Sequence, residues 1–219
     1  MIQAAIFDRD GLMFDTEAVW GRCWDPAFQN LGLPKPPQQF KVDVRGTSGD
    51  RMWAVFRRHF GPEVPAQRIY QEEYRLVSQE NARHIAKKPG LDRLLGWLRS
   101  EEVPMAVASS SPEASVHNNL QVAEVEKYFD VVVSGADVRR SKPDPDIFLE
   151  AARRLDAEPT RTLVLEDSFN GVRAGHAGGF VTVMVPDLSA PDDQMHQLAT
   201  AICSSLDEVA DLLQQGRLG

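Results

Sequence analysis

The sequence holds only two cysteines, Cys23 and Cys203, far apart and without paired spacing. That excludes a disulfide framework and a cysteine-based zinc site, and leaves two buried free thiols as the expectation. No stretch approaches the ~20 apolar residues that a membrane-crossing helix needs. The opening segment Met1-Ile2-Gln3-Ala4-Ala5-Ile6-Phe7-Asp8 meets a charge too soon for the apolar part of a secretory signal. A cytoplasmic protein with no membrane partner is therefore expected. Basic residues are the minority, 24 against 32 acidic, for a net charge of −8. Nucleic-acid phosphates are bound chiefly by clustered Lys and Arg, so no nucleic-acid partner is expected. Internal repeats and low-complexity tracts are lacking too, and Gln214 to Gly219 reads as a frayed tail.

What is present is an ordinary globular composition, 42% hydrophobic and 26% charged over 219 residues. At ~150 residues per domain this is one large domain or a core carrying an inserted module. Five short apolar runs read as buried strands: Ala4 to Phe7, Met105 to Ala108, Val131 to Val133, Leu163 to Leu165 and Val181 to Val185. Helical periodicity lies between them, as in Leu91-Leu94-Leu95-Leu98 and Ile147-Phe148-Ala151-Leu155. The pattern predicts an α/β protein with a Rossmann-like parallel sheet, whose ligands sit beyond the carboxyl ends of the strands. The gap from Phe7 to Met105 far exceeds the ~30 residues of a βαβ unit. An insertion over 16–87 is expected, all-helical and rich in aromatic anchors from Trp20 to Tyr74, with residues 1–15 and 88–219 forming the core. Pro34, Pro36 and Pro37 mark a turn within the insertion, and Lys88-Pro89-Gly90 reads as the linker back.

Chemistry-bearing residues follow four of the runs. Asp8-Arg9-Asp10-Gly11 follows the first, and in an extended backbone its two acids share one side while Arg9 points away from them. Alone, that is equally a solvated turn. Ser109-Ser110-Ser111 follows the second run, Ser141-Lys142-Pro143-Asp144 the third, and Glu166-Asp167-Ser168 the fourth. Out of context Lys142 is a helix-entry lysine and Glu166-Asp167 a helix cap. Together they converge on one crevice. Carboxylates ~4 Å apart repel by about 4 kcal/mol per pair at an effective dielectric of ~20. Cations are needed, and oxygen-only donors suit Mg²⁺ beside Lys142. The physical reading is a metal-assisted phosphoryl-transfer site. Asp137, Arg139 and Arg140 read as loop-face charges, and the five histidines show no metal-ligand spacing.

With these four motifs in order, Phe7-Asp8-Arg9-Asp10-Gly11, Ala108-Ser109-Ser110-Ser111-Pro112, Ser141-Lys142-Pro143-Asp144-Pro145 and Glu166-Asp167-Ser168-x-Asn170-Gly171, the chain resembles the haloacid dehalogenase superfamily. The branch is that of the beta-phosphoglucomutase-like phosphatases with an inserted helical cap, and the resemblance covers essentially the whole chain. It implies Asp8 as the nucleophile that becomes an aspartyl phosphate and Asp10 as general acid, then base. It implies Ser109 as donor to the transferring phosphoryl, Lys142 as neutralising cation, and Asp8, the Asp10 carbonyl and Asp167 as Mg²⁺ ligands. Glu166, Ser110, Thr16, Arg45, Gly46 and Trp20 follow as supporting or substrate-facing residues. The partner implied is a small phosphorylated metabolite, and the oligomeric state a monomer or weak homodimer.

The pattern departs from the branch's sugar-phosphate mutases, which resemblance would give a histidine at Trp20 and an arginine at Gly49. Phosphatase is thus the first reading and phosphosugar mutase the alternative, with Arg45 or Arg51 as possible substitutes for the missing cation. Trp20 and Trp24 stay open as substrate contacts. A phosphorylation-switched receiver module is the remaining competitor. Such modules carry their acceptor in mid-chain and lack a helical insertion of this length.

Overall fold

The computed structural model describes every residue except Met1, Gly46, Ser48, Leu188 and Gly219, and describes the backbone alone for Glu17. It divides into two compact units, one of residues 1–15 and 86–219, the other Thr16–Ile85.

In the first unit the five apolar runs are strands: β1 (Ala4–Phe7), β2 (Met105–Ser109), β3 (Val131–Ser134), β4 (Thr162–Glu166) and β5 (Val181–Met184). A sixth strand, β6 (Ala201–Ile202), is too short to show a sequence pattern. They form one parallel sheet in the order β3-β2-β1-β4-β5-β6, so the first strand made lies inside the sheet. Every residue of β1, β2 and β4 is buried. Continuous apolar runs, rather than alternating ones, are what a sheet covered on both faces requires. Ile6, Ala106, Ala108 and Val164 share one face and pack with Ile147, Phe148 and Ala151 of α7 (Asp146–Arg154) and Ala174 of α8 (Phe169–Ala177). On α5 (Leu91–Ser100) the buried set is Leu91, Leu94, Leu95 and Leu98, the stripe its periodicity predicts. The rest of this unit is α6 (Glu113–Val122), α9 (Asp193–Leu198) and α10 (Leu206–Gln214), which packs on α5. Each of the three strands β2, β3 and β4 ends on a polar residue, so Ser109, Ser134 and Glu166 are strand residues rather than loop residues.

The second unit is helical: α1 (Thr16–Asn30), α2 (Gln38–Val44), α3 (Gly49–Phe60) and α4 (Ala66–Asn81). Its core is aromatic. Fully buried Phe40 meets Trp24, Phe56 and Phe60 at ring-centroid distances of 5.1, 5.0 and 4.8 Å, all edge-to-face. Trp24 is therefore a core residue, and it leaves the list of candidate substrate contacts. The sequence boundary also shifts by two residues. The Ala86 carbonyl accepts from the Asp15 N–H at 2.9 Å, and Lys87 forms a bridge with Phe14, so 86 and 87 are held by the sheet unit. Cys23 and Cys203 are buried free thiols, whose burial pushes them up to about 12 and about 11.

Candidate active site

The parallel register sets the site. Phe7 lies opposite Leu165 of β4 and Val107 of β2, so Asp8 falls beside Glu166, and Ser109 at the same end of the sheet. The Asp8 N–H donates to the Leu165 carbonyl at 3.0 Å, carrying the strand bond one residue past β1. Asp8, Ser109 and Glu166 are all buried.

Lys142 joins them. Its ammonium donates to Asp8 Oδ1 at 2.5 Å and to Glu166 Oε1 at 2.7 Å, and sits 4.8 Å from the Phe148 ring centroid. Burial works against its charge, but the two carboxylates outweigh burial and raise its pKa. For Asp8, burial pushes the carboxyl up to about 7; Lys142 opposes this, while Glu166 and Asp10 add to it. Glu166 is itself braced, Oε2 accepting from the Ser168 N–H at 2.8 Å and its hydroxyl at 2.9 Å. Ser168 caps α8 through its Oγ, which accepts from the Gly171 N–H. A Cβ at Gly171 would overlap the Glu166 carboxylate, so the brace depends on a glycine there.

Asp167 stands apart. It has no ion-pair partner among the described residues, and burial, with the Glu166 and Asp8 charges, pushes its carboxyl up to about 10. Its carboxylate lies against Gly11, where φ is +82° and a Cβ would overlap it, so glycine satisfies both the turn and the close approach. One ammonium thus pairs with two buried acids, Asp8 and Glu166, and leaves the partly exposed Asp167 without a counter-charge among the described residues. No three His, Cys, Asp or Glu side chains among the described residues are grouped as a metal cage. The donors present are fewer, the Asp8 and Asp167 carboxylates and backbone carbonyls, and their surplus negative charge fits a hard divalent cation that keeps waters.

Asp10 corrects an expectation. The Arg9 side chain does not point away from the acids: it is buried and grips Asp10, Nε to Oδ2 at 3.0 Å and Nη2 to Oδ2 and Oδ1 at 2.6 and 2.9 Å. Alternation holds only inside a strand, and β1 ends at Phe7. Beyond it the chain turns, the Arg9 carbonyl accepting from the Met13 and Phe14 N–H groups. Ser111 and Ser115 hydroxyls accept from the same guanidinium at 2.8 and 3.1 Å. Among the serines, Ser109 Oγ accepts from the Ser111 N–H at 3.2 Å, and Ser110 is exposed. Asp137 is not a free loop charge either, since it binds the Ser134 N–H and hydroxyl and pairs with Arg154 at 2.8 Å.

The remaining candidates belong to the helical unit. Thr16 opens α1 and is buried. Trp20 is half-buried, stacked on Tyr70 at 6.0 Å and near Tyr74. Arg45 follows α2 and is exposed, as is Arg51. Gly46 lies outside the described residues.

The model of one family, the haloacid dehalogenase-like hydrolases, matches residues 5–185. The bifunctional riboflavin kinase/FMN phosphatase of Arabidopsis thaliana is 39% identical over 216 residues, 97% of this chain and 54% of that protein, so this chain spans about half its length. The phosphorylated carbohydrates phosphatase of Thermotoga maritima is 30% identical over 190 residues, 81% of this chain and 82% of that protein. The crystal structure of a putative beta-phosphoglucomutase from Thermotoga maritima superimposes with a TM-score of 0.80 at 25% identity, covering 98% of this chain and 99% of that one. Four strand-end motifs, the sheet that gathers them and a family match across that whole stretch agree: the chain belongs to the haloacid dehalogenase-like hydrolase family.

Proposed function

We propose that this hydrolase is a phosphatase that cleaves a phosphomonoester of a small metabolite, a sugar phosphate or a related ester, through an aspartyl phosphate on Asp8. The observation that carries the reading is Lys142 bridging Asp8 and Glu166 at the carboxyl end of an inner strand. An acid buried there is costly unless its charge has work to do. Asp8 attacks phosphorus in line as the ester oxygen departs, and Asp10 supplies the proton that oxygen takes up. Asp10 then takes a proton from the water that attacks the acyl phosphate, returning Asp8 and releasing phosphate. Ser109 donates to a phosphoryl oxygen, and Lys142 offsets the charge that gathers on Asp8 and the phosphoryl group. Asp8, Asp167 and the Asp10 carbonyl would hold Mg²⁺, which supplies electrostatic stabilisation of the phosphoryl oxygens when bound.

The substrate class is supported by what relatives are named for, phosphorylated carbohydrates and FMN. The helical unit acts in this reading as a cap that selects substrate and excludes water. Likeness to a putative beta-phosphoglucomutase favours one second reading, transfer to a sugar hydroxyl rather than to water. A panel of sugar phosphates, FMN, nucleotides and short alkyl phosphates, assayed for phosphate release with Mg²⁺ and with EDTA, tests both. Mg²⁺-dependent release from at least one ester is expected. Release in chelator with metal content verified as zero contradicts the metal assignment. Glucose 6-phosphate accumulating from beta-glucose 1-phosphate faster than free phosphate, with a trace of glucose 1,6-bisphosphate, makes the enzyme a mutase.

A further inference from the structure

We infer that Arg9 is a positioning residue, a buried clamp that fixes the Asp10 carboxylate and leaves Oδ1 as its working oxygen. The inference rests on the reading above, in which Asp10 handles the proton. The Arg9 side chain is only 5% exposed, so its guanidinium has given up most of its water. Four of its contacts are on Asp10 and Ser111: Nε and Nη2 on Oδ2, Nη2 on Oδ1, and Nη2 on Ser111 Oγ. Nη1 takes the opposite side, on Ser115 Oγ at 3.1 Å. The Ser111 hydroxyl then donates its own proton to Asp10 Oδ2 at 3.2 Å, closing a ring of three side chains. Ser111 lies in the turn before α6 and Ser115 within its first turns, so the plane of the guanidinium is set by an element other than its own. A planar fork held at both ends transmits its orientation to whatever carboxylate it grips.

The two oxygens of Asp10 are not equivalent in this arrangement. Oδ2 receives three donors, while Oδ1 receives one and keeps a lone pair. The side chain is 31% exposed, so the carboxylate is reachable despite its buried partner. Were the pair needed only to close the turn, an apolar side chain at this position would serve at lower desolvation cost.

A double-mutant cycle decides the matter. Arg9→Met, Arg9→Lys, Asp10→Asn and the Arg9→Met/Asp10→Asn pair are assayed on glucose 6-phosphate, whose leaving alkoxide needs a proton, and on p-nitrophenyl phosphate, whose leaving phenolate does not. The quantity read is kcat/KM, which covers events up to departure of the alcohol, with thermal melts of all variants alongside. Arg9→Met is expected to lower kcat/KM on the sugar phosphate by about tenfold or more and on the aryl ester by much less. Arg9→Lys recovers part of the loss, and in the Asp10→Asn background Arg9→Met changes neither rate further. Equal losses on both esters, or the same fold loss with and without Asp10, overturn the inference while leaving the phosphatase reading intact. Should glucose 6-phosphate not be cleaved, the sugar or alkyl phosphate of the panel that the wild type cleaves fastest takes its place. Wild-type rates for Asp10→Asn, or release by the wild type from no ester of the panel and none from p-nitrophenyl phosphate, overturn the reading and the inference with it. Should Arg9→Met not fold, Ser111→Ala and Arg9→Lys carry the same comparison, because they loosen the clamp without emptying the site.

Discussion

Lys142 holds a single charge against two buried carboxylates, and this makes the consequence of changing Asp8 separable from damage to the fold. Asp8→Asn keeps the shape of the side chain and leaves Lys142 paired with Glu166, so the variant is expected to melt near the wild-type temperature. Its turnover is expected to fall by more than about a thousandfold, since an amide is not a competent nucleophile. Phosphate release with deamidation checked by mass spectrometry measures it. Beryllium fluoride, which occupies the phosphoryl position, is expected to protect wild type but not the variant from thermal unfolding. The acids were legible in the sequence because they sit at the ends of apolar runs, and Lys142 because Ser141-Lys142-Pro143-Asp144 follows the third run at the same end of the sheet. Arg9 was not, because its placement depends on where β1 stops, and one residue of strand more or less reverses which way a side chain faces. Ser115 carried no signal at all; only the approach of α6 to the turn after β1 brings it to the guanidinium.

Elements carry the site through their ends. The turn from β4 into α8 does so with Ser168, which caps the helix and braces Glu166, and with Gly171, whose missing Cβ makes room for that carboxylate. Gly171→Ala is therefore expected to displace Glu166 from Lys142 and to lower kcat by about tenfold or more, although alanine is the better helix former. Wild-type kcat in a folded Gly171→Ala variant would show that Glu166 is dispensable. A second link runs from the end of β3 to α7, where Asp137 binds Ser134 and Arg154. The Arg154 pair and the Ser134 donors hold its carboxyl down at about 2, below the ~3.9 of an unfolded aspartate. A depressed folded value contributes stability that is complete above the unfolded pKa and disappears as pH falls through the folded one. The melting temperatures of wild type and Asp137→Asn are thus expected to differ at pH 5 to 7 and to converge toward pH 2. Five strands and the helical insertion were readable from apolar runs and spacing. The two-residue β6 and the return to the sheet unit at Ala86 were not, because both are settled by backbone pairing with distant residues rather than by local pattern.

At the scale of the molecule, chemistry and selection are expected to reside in different units. Replacing Thr16–Ile85 with the helical insertion of another family member is expected to change the preferred ester while retaining turnover of p-nitrophenyl phosphate. A preference that stays with the sheet unit would make the insertion a scaffold. The aromatic core of that insertion draws on nearby stretches of chain, from Trp24 to Tyr70, and local contacts form early. The sheet is ordered otherwise. Its inner strand β1 is the first to be synthesised, yet its two neighbours are β2 and β4; Lys142 follows β3, and Glu166 is the last residue of β4. On the ribosome, then, β1 and Asp8 are made well before Lys142 and Glu166, and the edge of β1 that β4 covers stays open in between. A nascent chain cut short before Lys142 carries Asp8 without the cation and the acid that meet it in the finished fold, so a truncated copy is expected to release no phosphate from p-nitrophenyl phosphate.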